Sequence, residues 1–355
     1  MHAQIPSPRE IDDRLGQHGY RGQPRARRAA SVLAYRHLMR NYRLQVEGIA
    51  PEHGFRENAL FLGPTGCGKT YLVELLFKEI LEVPTVVVDA TQFSETGYVG
   101  DDVSTVLSRL FEVADADLSW ASCGVICMDE FDKLATSRSD SRFAGQQTTK
   151  DVSGFGVQRS LLHLLSGSTV DFPPDFGFTS RIAPLPMPMA GLTFIACGAF
   201  SGFRSTAESM DEIERLGFGR EVKKQSREGI AHKIGEQQLE QTAAFARYGF
   251  IPELIGRFNR LVAFDPLEED TLKAILQQNV IGAYLREFEQ ERVTLQLEDA
   301  VLDHVVQEAL RRETGARGLR AAIAPALEEA AYRLFGTGQP QTAHLKVREG
   351  RVVVD

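Results

Sequence analysis

The chain has 355 residues, 43% hydrophobic and 25% charged, with a formal net charge of −8; these proportions exclude a disordered or fibrous chain. The acidic balance argues against a dedicated nucleic-acid binder, and the basic run RGQPRARRAA at residues 21 to 30 reads as a solvated helix face. The four cysteines make no disulfide framework, Cys123 and Cys127 lack the second ligand pair that zinc needs, and with no long apolar run or signal peptide the chain is expected in the cytoplasm with no membrane span.

Five short apolar runs read as buried parallel strands: ALFL (59 to 62), TVVVD (85 to 89), GVICM (124 to 128), LTFIA (192 to 196) and RLVAF (260 to 264). Helical patterns separate them. Leu72, Leu75, Leu76 and Leu81 share one face after the first run, and Val103, Val106, Leu107 and Leu110 recur at helical spacing after the second. Strands alternating with helices predict an α/β fold with a five-stranded parallel sheet covered on both sides. Stretches 137 to 155 and 168 to 190, rich in Ser, Gly and Pro, are long for idle connectors and read as functional loops. Beyond Pro266 three helical segments follow, then a two-strand signal in HLKVREGRVVVD. The predicted organisation is an N-terminal extension (1 to 15), a large α/β domain (16 to 265) and a smaller, mainly helical domain (266 to 355) ending in a short β hairpin.

Residues Gly63, Pro64, Thr65, Gly66, Cys67, Gly68, Lys69 and Thr70 read GPTGCGKT, the phosphate-loop pattern, between a strand and an amphipathic helix. Glycines let the loop curl so that its N–H groups face a phosphate at the helix start. Lys69 is then placed against the β and γ phosphates of ATP, and the Thr70 hydroxyl joins a magnesium shell. Cys67 is either a thiol whose modification blocks nucleotide or a stand-in for a small residue. The third strand runs into Asp129-Glu130. Successive residues at a strand end point differently, which suits Asp129 as a metal carboxylate and Glu130 as the general base for water.

GPTGCGKT together with ICMDEFDKLA (126 to 135) resembles the AAA+ superfamily of P-loop ATPases. Four further stretches resemble the ClpX-type unfoldases of that superfamily: DATQFSETGYVGDDV (89 to 103), KDVSGFGVQ (150 to 158), GFIPELIGRF (249 to 258) and TGARGLR (314 to 320). The likeness runs from about Ile5 to Leu334, and the family's N-terminal zinc-binding domain is expected to be missing. It implies a hexameric ring that hydrolyses ATP at subunit interfaces and threads polypeptide through its pore, an ATP-dependent unfoldase and translocase. Arg257 then takes the place of an arginine finger reaching the neighbouring site, and Arg317 that of the small-domain arginine sensing the γ phosphate, with Arg320 the lesser candidate.

HGYRGQ (18 to 23) takes the place of the adenine-contacting segment, with Arg21 where the family has an aliphatic residue. Tyr98 and Val99 match the first pore loop, and Val152 and Phe155 the second, where Lys150 replaces the usual Arg and Phe155 an acid. The loop that carries an Arg-Lys-His cluster in the family has only Arg181 here. Leu216, Gly217 and Phe218 stand where the family docks on a ClpP-type peptidase. A remodelling chaperone without a peptidase is the alternative, and a nucleic-acid motor a third class.

Overall fold

The computed structural model describes residues 5 to 49, 56 to 93, 103 to 135, 153 to 174, 183 to 201, 203 and 237 to 355. These fall into two packed units. The first takes residues up to Ile11, Arg28–Gly63 and Thr70–Ala263; the second takes Asp12–Arg27, Pro64–Lys69 and Phe264–Asp355.

The first unit holds strands β1 (Ala59–Leu62), β2 (Thr85–Asp89), β3 (Val125–Asp129), β4 (Thr169–Phe172), β5 (Leu185–Pro188), β6 (Thr193–Gly198) and β7 (Arg260–Ala263). Five of them make one parallel sheet in the order β2-β3-β6-β1-β7. The apolar runs explain it: every residue of β6 is buried, as are the first four of β3 and the first three of β1. A strand that alternated polar and apolar residues could not be covered on both faces in this way. Because β6 lies between β3 and β1, the C-terminal ends of β1 and β3 stand on either side of the end of β6, and ligands of open parallel sheets bind at the carboxyl ends of the strands.

The segment 168 to 190, expected as a loop, contains an antiparallel hairpin in which Thr169 pairs with Pro188 and Phe172 with Leu185. Pro186 and Pro188 donate no ladder bonds, which a two-stranded ribbon tolerates because each of its strands is an edge.

Helices α1 (Pro8–Gln17), α2 (Pro24–Gln45), α3 (Lys69–Val73), α4 (Thr105–Val113), α5 (Leu118–Ala121), α6 (Ser153–Ser166), α7 (Gln237–Tyr248) and α8 (Pro252–Ile255) come in chain order up to β7. After α3 the chain continues in wider π-type turns through Ile80. Leu72, Leu75, Leu76, Val103, Val106, Leu107 and Leu110 are buried as their spacing predicts, and Leu81 is half-buried.

One buried polar cluster pins α2 to the start of β6. His37 Nδ1 lies 2.9 Å from Thr193 Oγ1, and Arg40 Nη2 donates to the carbonyls of Gly191 and Leu192. Burial, with the Arg40 charge second, lowers the His37 pKa from 6.5 to about 3 against a weak opposing bond at Cys123. A histidine whose folded pKa lies below its unfolded value binds protons better unfolded, so acid favours unfolding. The loss begins as pH falls through about 6.5 and continues towards about 3. Between pH 7 and pH 5 it amounts to about 2 kcal/mol. Urea midpoints at the two pH values check this: His37→Asn should flatten the difference, and a His37 ring whose NMR signals show protonation at pH 5 in the folded state would refute it.

In the second unit, helices α9 (Glu269–Ile275), α10 (Gly282–Gln290), α11 (Asp299–Arg311) and α12 (Gly315–Leu334) accompany strands β8 (Val293–Leu297), β9 (Gln341–Arg348) and β10 (Arg351–Val354). The C-terminal hairpin is present as β9 and β10, and β8 adds a third strand parallel to β9. Val293 and Leu295 of β8 face the core while Thr294 and Gln296 are exposed, the alternation of a strand with one face in solvent. Leu276, Val301, Val305, Leu319, Ile323, Ala330, Ala343 and Leu345 are the deepest residues of that core. Among the described residues, no helix is long and apolar enough to cross a membrane.

Candidate functional site

At the end of β3 one carboxylate organises its neighbours. Thr70 Oγ1 donates to Asp129 Oδ2 at 2.9 Å, and the Glu130 backbone N–H donates to Asp129 Oδ1 at 2.9 Å. The two oxygens at Thr70 and Asp129 make a hard donor set that suits a divalent cation such as magnesium. Glu130 itself adopts φ 53° and ψ 30°, the left-handed region. A residue with a Cβ is held there at a cost of about 1 kcal/mol or more, and such conformations persist where the surroundings impose them, often at functional sites.

The surroundings here are the aromatic turn that follows. Phe131 is fully buried, stacked on Phe250 at 5.2 Å between ring centroids and edge-on to Phe258 at 5.4 Å. Asp132, 6% exposed, accepts from the Ala199 N–H at 3.1 Å and so ties the end of β6 to the same turn. The consequence is an exposed Glu130 carboxylate standing on a rigid base.

The loop Pro64–Lys69 lies in the second packed unit. Gly66 and Gly68 have φ of 75° and 93°, where glycine is at home. The Gly66 carbonyl accepts a hydrogen bond from the Ala316 N–H at 3.0 Å. A Cβ on Gly66 would lie 2.2 Å from the Thr314 carbonyl oxygen, so the first turn of α12 approaches this loop only because a glycine stands there. Lys69 is 7% exposed; its Nζ donates to the Pro64 carbonyl at 2.9 Å and lies 3.8 Å from Cys67 Sγ. Burial pushes the Cys67 thiol up, with Lys69 opposing, so this thiol is not an activated thiolate.

Arg317 is exposed one residue past Ala316. Arg320 is engaged by Tyr284, its Nε 3.4 Å from the hydroxyl and its guanidinium 5.9 Å from the ring centroid.

Arg257 is exposed after α8. Its position is set by reciprocal bonds at the start of the β1–β7 ladder: Asn58 Nδ2 donates to the Arg257 carbonyl at 3.0 Å, and Asn259 Nδ2 donates to the Arg56 carbonyl at 2.9 Å. Arg56 is thereby set beside Arg257. Burial first and the Arg257 charge second lower the Arg56 pKa.

The motif reading also passed over Gln158, fully buried on α6. Its amide donates to the carbonyls of Leu134 and Gly249 and accepts from the Ile251 N–H at 2.7 Å. One side chain thus links α6, the turn after Glu130 and the segment leading to Arg257. A polar residue between the buried Val157 and Leu161 was the available signal.

Phe155 is 42% exposed in the first turn of α6. Tyr98, Val99, Lys150, Val152, Arg181, Leu216, Gly217 and Phe218 lie outside the described residues.

A family model described as AAA domain (Cdc48 subfamily) matches residues 56–261. A second, described as the C-terminal, D2-small domain, of ClpB protein, matches residues 267–347. The ATP-dependent Clp protease ATP-binding subunit ClpX of Bacteroides thetaiotaomicron is 35% identical over 327 residues, which cover 90% of this chain and 75% of that protein.

Proposed function

This chain is an ATPase that belongs to the Clp-type, ClpX-like branch of the AAA+ family, and from that premise we propose that it unfolds and translocates proteins as the motor subunit of a Clp-type protease in the cytoplasm. The proposed ring is a homo-hexamer, each subunit having an ATPase domain at 16 to 265 and a smaller domain at 266 to 355. Tyr98, Val99, Val152 and Phe155 grip the substrate, and Leu216, Gly217 and Phe218 dock on a ClpP-type peptidase.

The observation that supports turnover rather than passive nucleotide binding is the Asp129 carboxylate, which holds Thr70 with one oxygen and the Glu130 peptide with the other. On this reading Thr70 and Asp129 hold magnesium, and residues Gly63 to Lys69 receive the ATP phosphates. The bound metal neutralises charge on those phosphates. Glu130, exposed and held by its left-handed turn, orients the attacking water and takes its proton. Arg257 from one subunit reaches the site of the next, and Arg317 reports on the γ phosphate.

The test is ATP-dependent loss of native fluorescence from a folded fluorescent protein carrying candidate degradation tags, with ADP as control. Tyr98→Ala is expected to keep ATP turnover and lose unfolding. Co-sedimentation with the ClpP-type peptidase of the same cell, abolished by Phe218→Ala, is expected on the protease reading. Unfolding without peptidase binding would instead make the protein a free-standing remodeller, and hydrolysis unaffected by any protein substrate would sink the unfoldase assignment.

A further inference from the structure

Tyr20, within the segment that the resemblance places at the adenine, also touches the loop through its hydroxyl, and the nucleotide reading makes no use of that contact. It stands in the turn between α1 and α2, is 2% exposed, and donates from its hydroxyl to the Gly68 carbonyl oxygen at 3.2 Å. Its ring fills the space a side chain on Gly68 would need: a Cβ there would meet the Tyr20 hydroxyl oxygen at 3.1 Å and two ring carbons at 3.6 Å.

The turn that carries Tyr20 is itself fixed on several sides. The Tyr20 N–H donates to the Leu15 carbonyl at 3.0 Å. Arg21 donates to the Gly16 carbonyl and to Gln278 Oε1, each at 2.8 Å. Gln23 bonds in both directions with the Asp265 backbone. The hydroxyl therefore acts from a built support and is not a mobile ring tip.

A trans peptide is planar, with its C=O and N–H pointing in opposite directions. Fixing the Gly68 carbonyl on the Tyr20 side consequently aims the Lys69 N–H the other way. In the structure that N–H and the Lys69 ammonium both act on the Cys67 sulfur, so both donors converge on one small region of the loop.

We infer that Tyr20 is a positioning residue for the phosphate-binding loop: its hydroxyl holds the Gly68–Lys69 peptide so that the Lys69 N–H faces the nucleotide's second phosphate, favouring ADP and ATP over AMP. The inference rests on the reading of residues 63 to 70 as the nucleotide loop.

Tyr20→Phe removes the hydroxyl and keeps the ring. Equilibrium titration should show ADP binding about tenfold more weakly, the worth of one buried hydrogen bond, with AMP affinity unchanged. Without nucleotide, the Lys69 amide should exchange its hydrogen faster in this variant. Unchanged ADP affinity overturns the inference, and so does equal weakening of ADP and AMP, which would mark Tyr20 as merely structural. Lys69→Ala separates the two levels: if it binds ADP as tightly as the unaltered protein, the loop assignment itself has failed, whereas weakening in Lys69→Ala but not in Tyr20→Phe removes Tyr20 alone.

Discussion

Glu130→Gln should bind ATP with nearly the affinity of the unaltered protein and turn it over some 10² to 10⁴ times more slowly, the usual worth of a general base. In barrier height that is about 3 to 5 kcal/mol. The amide has the size and shape of the carboxylate, and the structure gives reasons for the site to survive the exchange. The left-handed backbone at Glu130 is held by the N–H bond to Asp129 and by the buried Phe131 beside it, neither of which involves the Glu130 side chain. Asp129 also keeps its bond to Thr70. What is lost is proton acceptance, so the deficit should fall on kcat and leave binding intact. Phosphate release and titration with a fluorescent ATP analogue measure the two separately. Normal hydrolysis by the variant would remove Glu130 as the base, and lost ATP binding would mean the change had disturbed the Asp129 network.

The sheet was legible in the sequence because strands buried on both faces are written as unbroken apolar runs. Predicted and observed strands agree to within two residues at every end, from Ala59–Leu62 to Arg260–Ala263. Strand β8 escaped notice because VTLQL is only five residues between two strong helical patterns, where period two and period 3.6 are hard to separate. The hairpin of β4 and β5 was hidden by Pro186 and Pro188, which argue against a strand everywhere except at an edge.

In the candidate site, spacing along the chain could name Thr70, Asp129 and Glu130, but not that one carboxylate would serve the other two residues. The left-handed turn at Glu130 has no sequence signature, since it is imposed by the packing of Phe131, Phe250 and Phe258, residues far apart in the chain. Arg56 beside Arg257 depends on β1 and β7 being neighbours, which no local pattern reveals. Glycine signals were easier to read, because Gly66 and Gly68 stand inside a motif whose geometry demands them.

The arginine pair leads to the second large effect. Arg257→Ala is expected to lower kcat by about 10³ to 10⁵, the range found for arginines that stabilise phosphoryl transfer in trans, which is about 4 to 7 kcal/mol. Arg257 is exposed, and its carbonyl, not its guanidinium, is what Asn58 holds. The side chain is thus free to serve another subunit while the backbone under it stays fixed, and truncation should cost little stability. Arg56 does not replace it, because that guanidinium is half-buried and donates to the Gly167 carbonyl at 2.5 Å. A mixing experiment discriminates between action in trans and in cis. Lys69→Ala subunits lack a working phosphate loop but keep Arg257, and Arg257→Ala subunits have the reverse defect, so each alone should be nearly inactive. Mixed rings place an intact Arg257 against an intact loop at some interfaces, and turnover should reappear there, greatest at equal mixing and falling to nothing with either variant alone. If mixed rings form and stay inactive, Arg257 acts within its own subunit and the interfacial site is wrong.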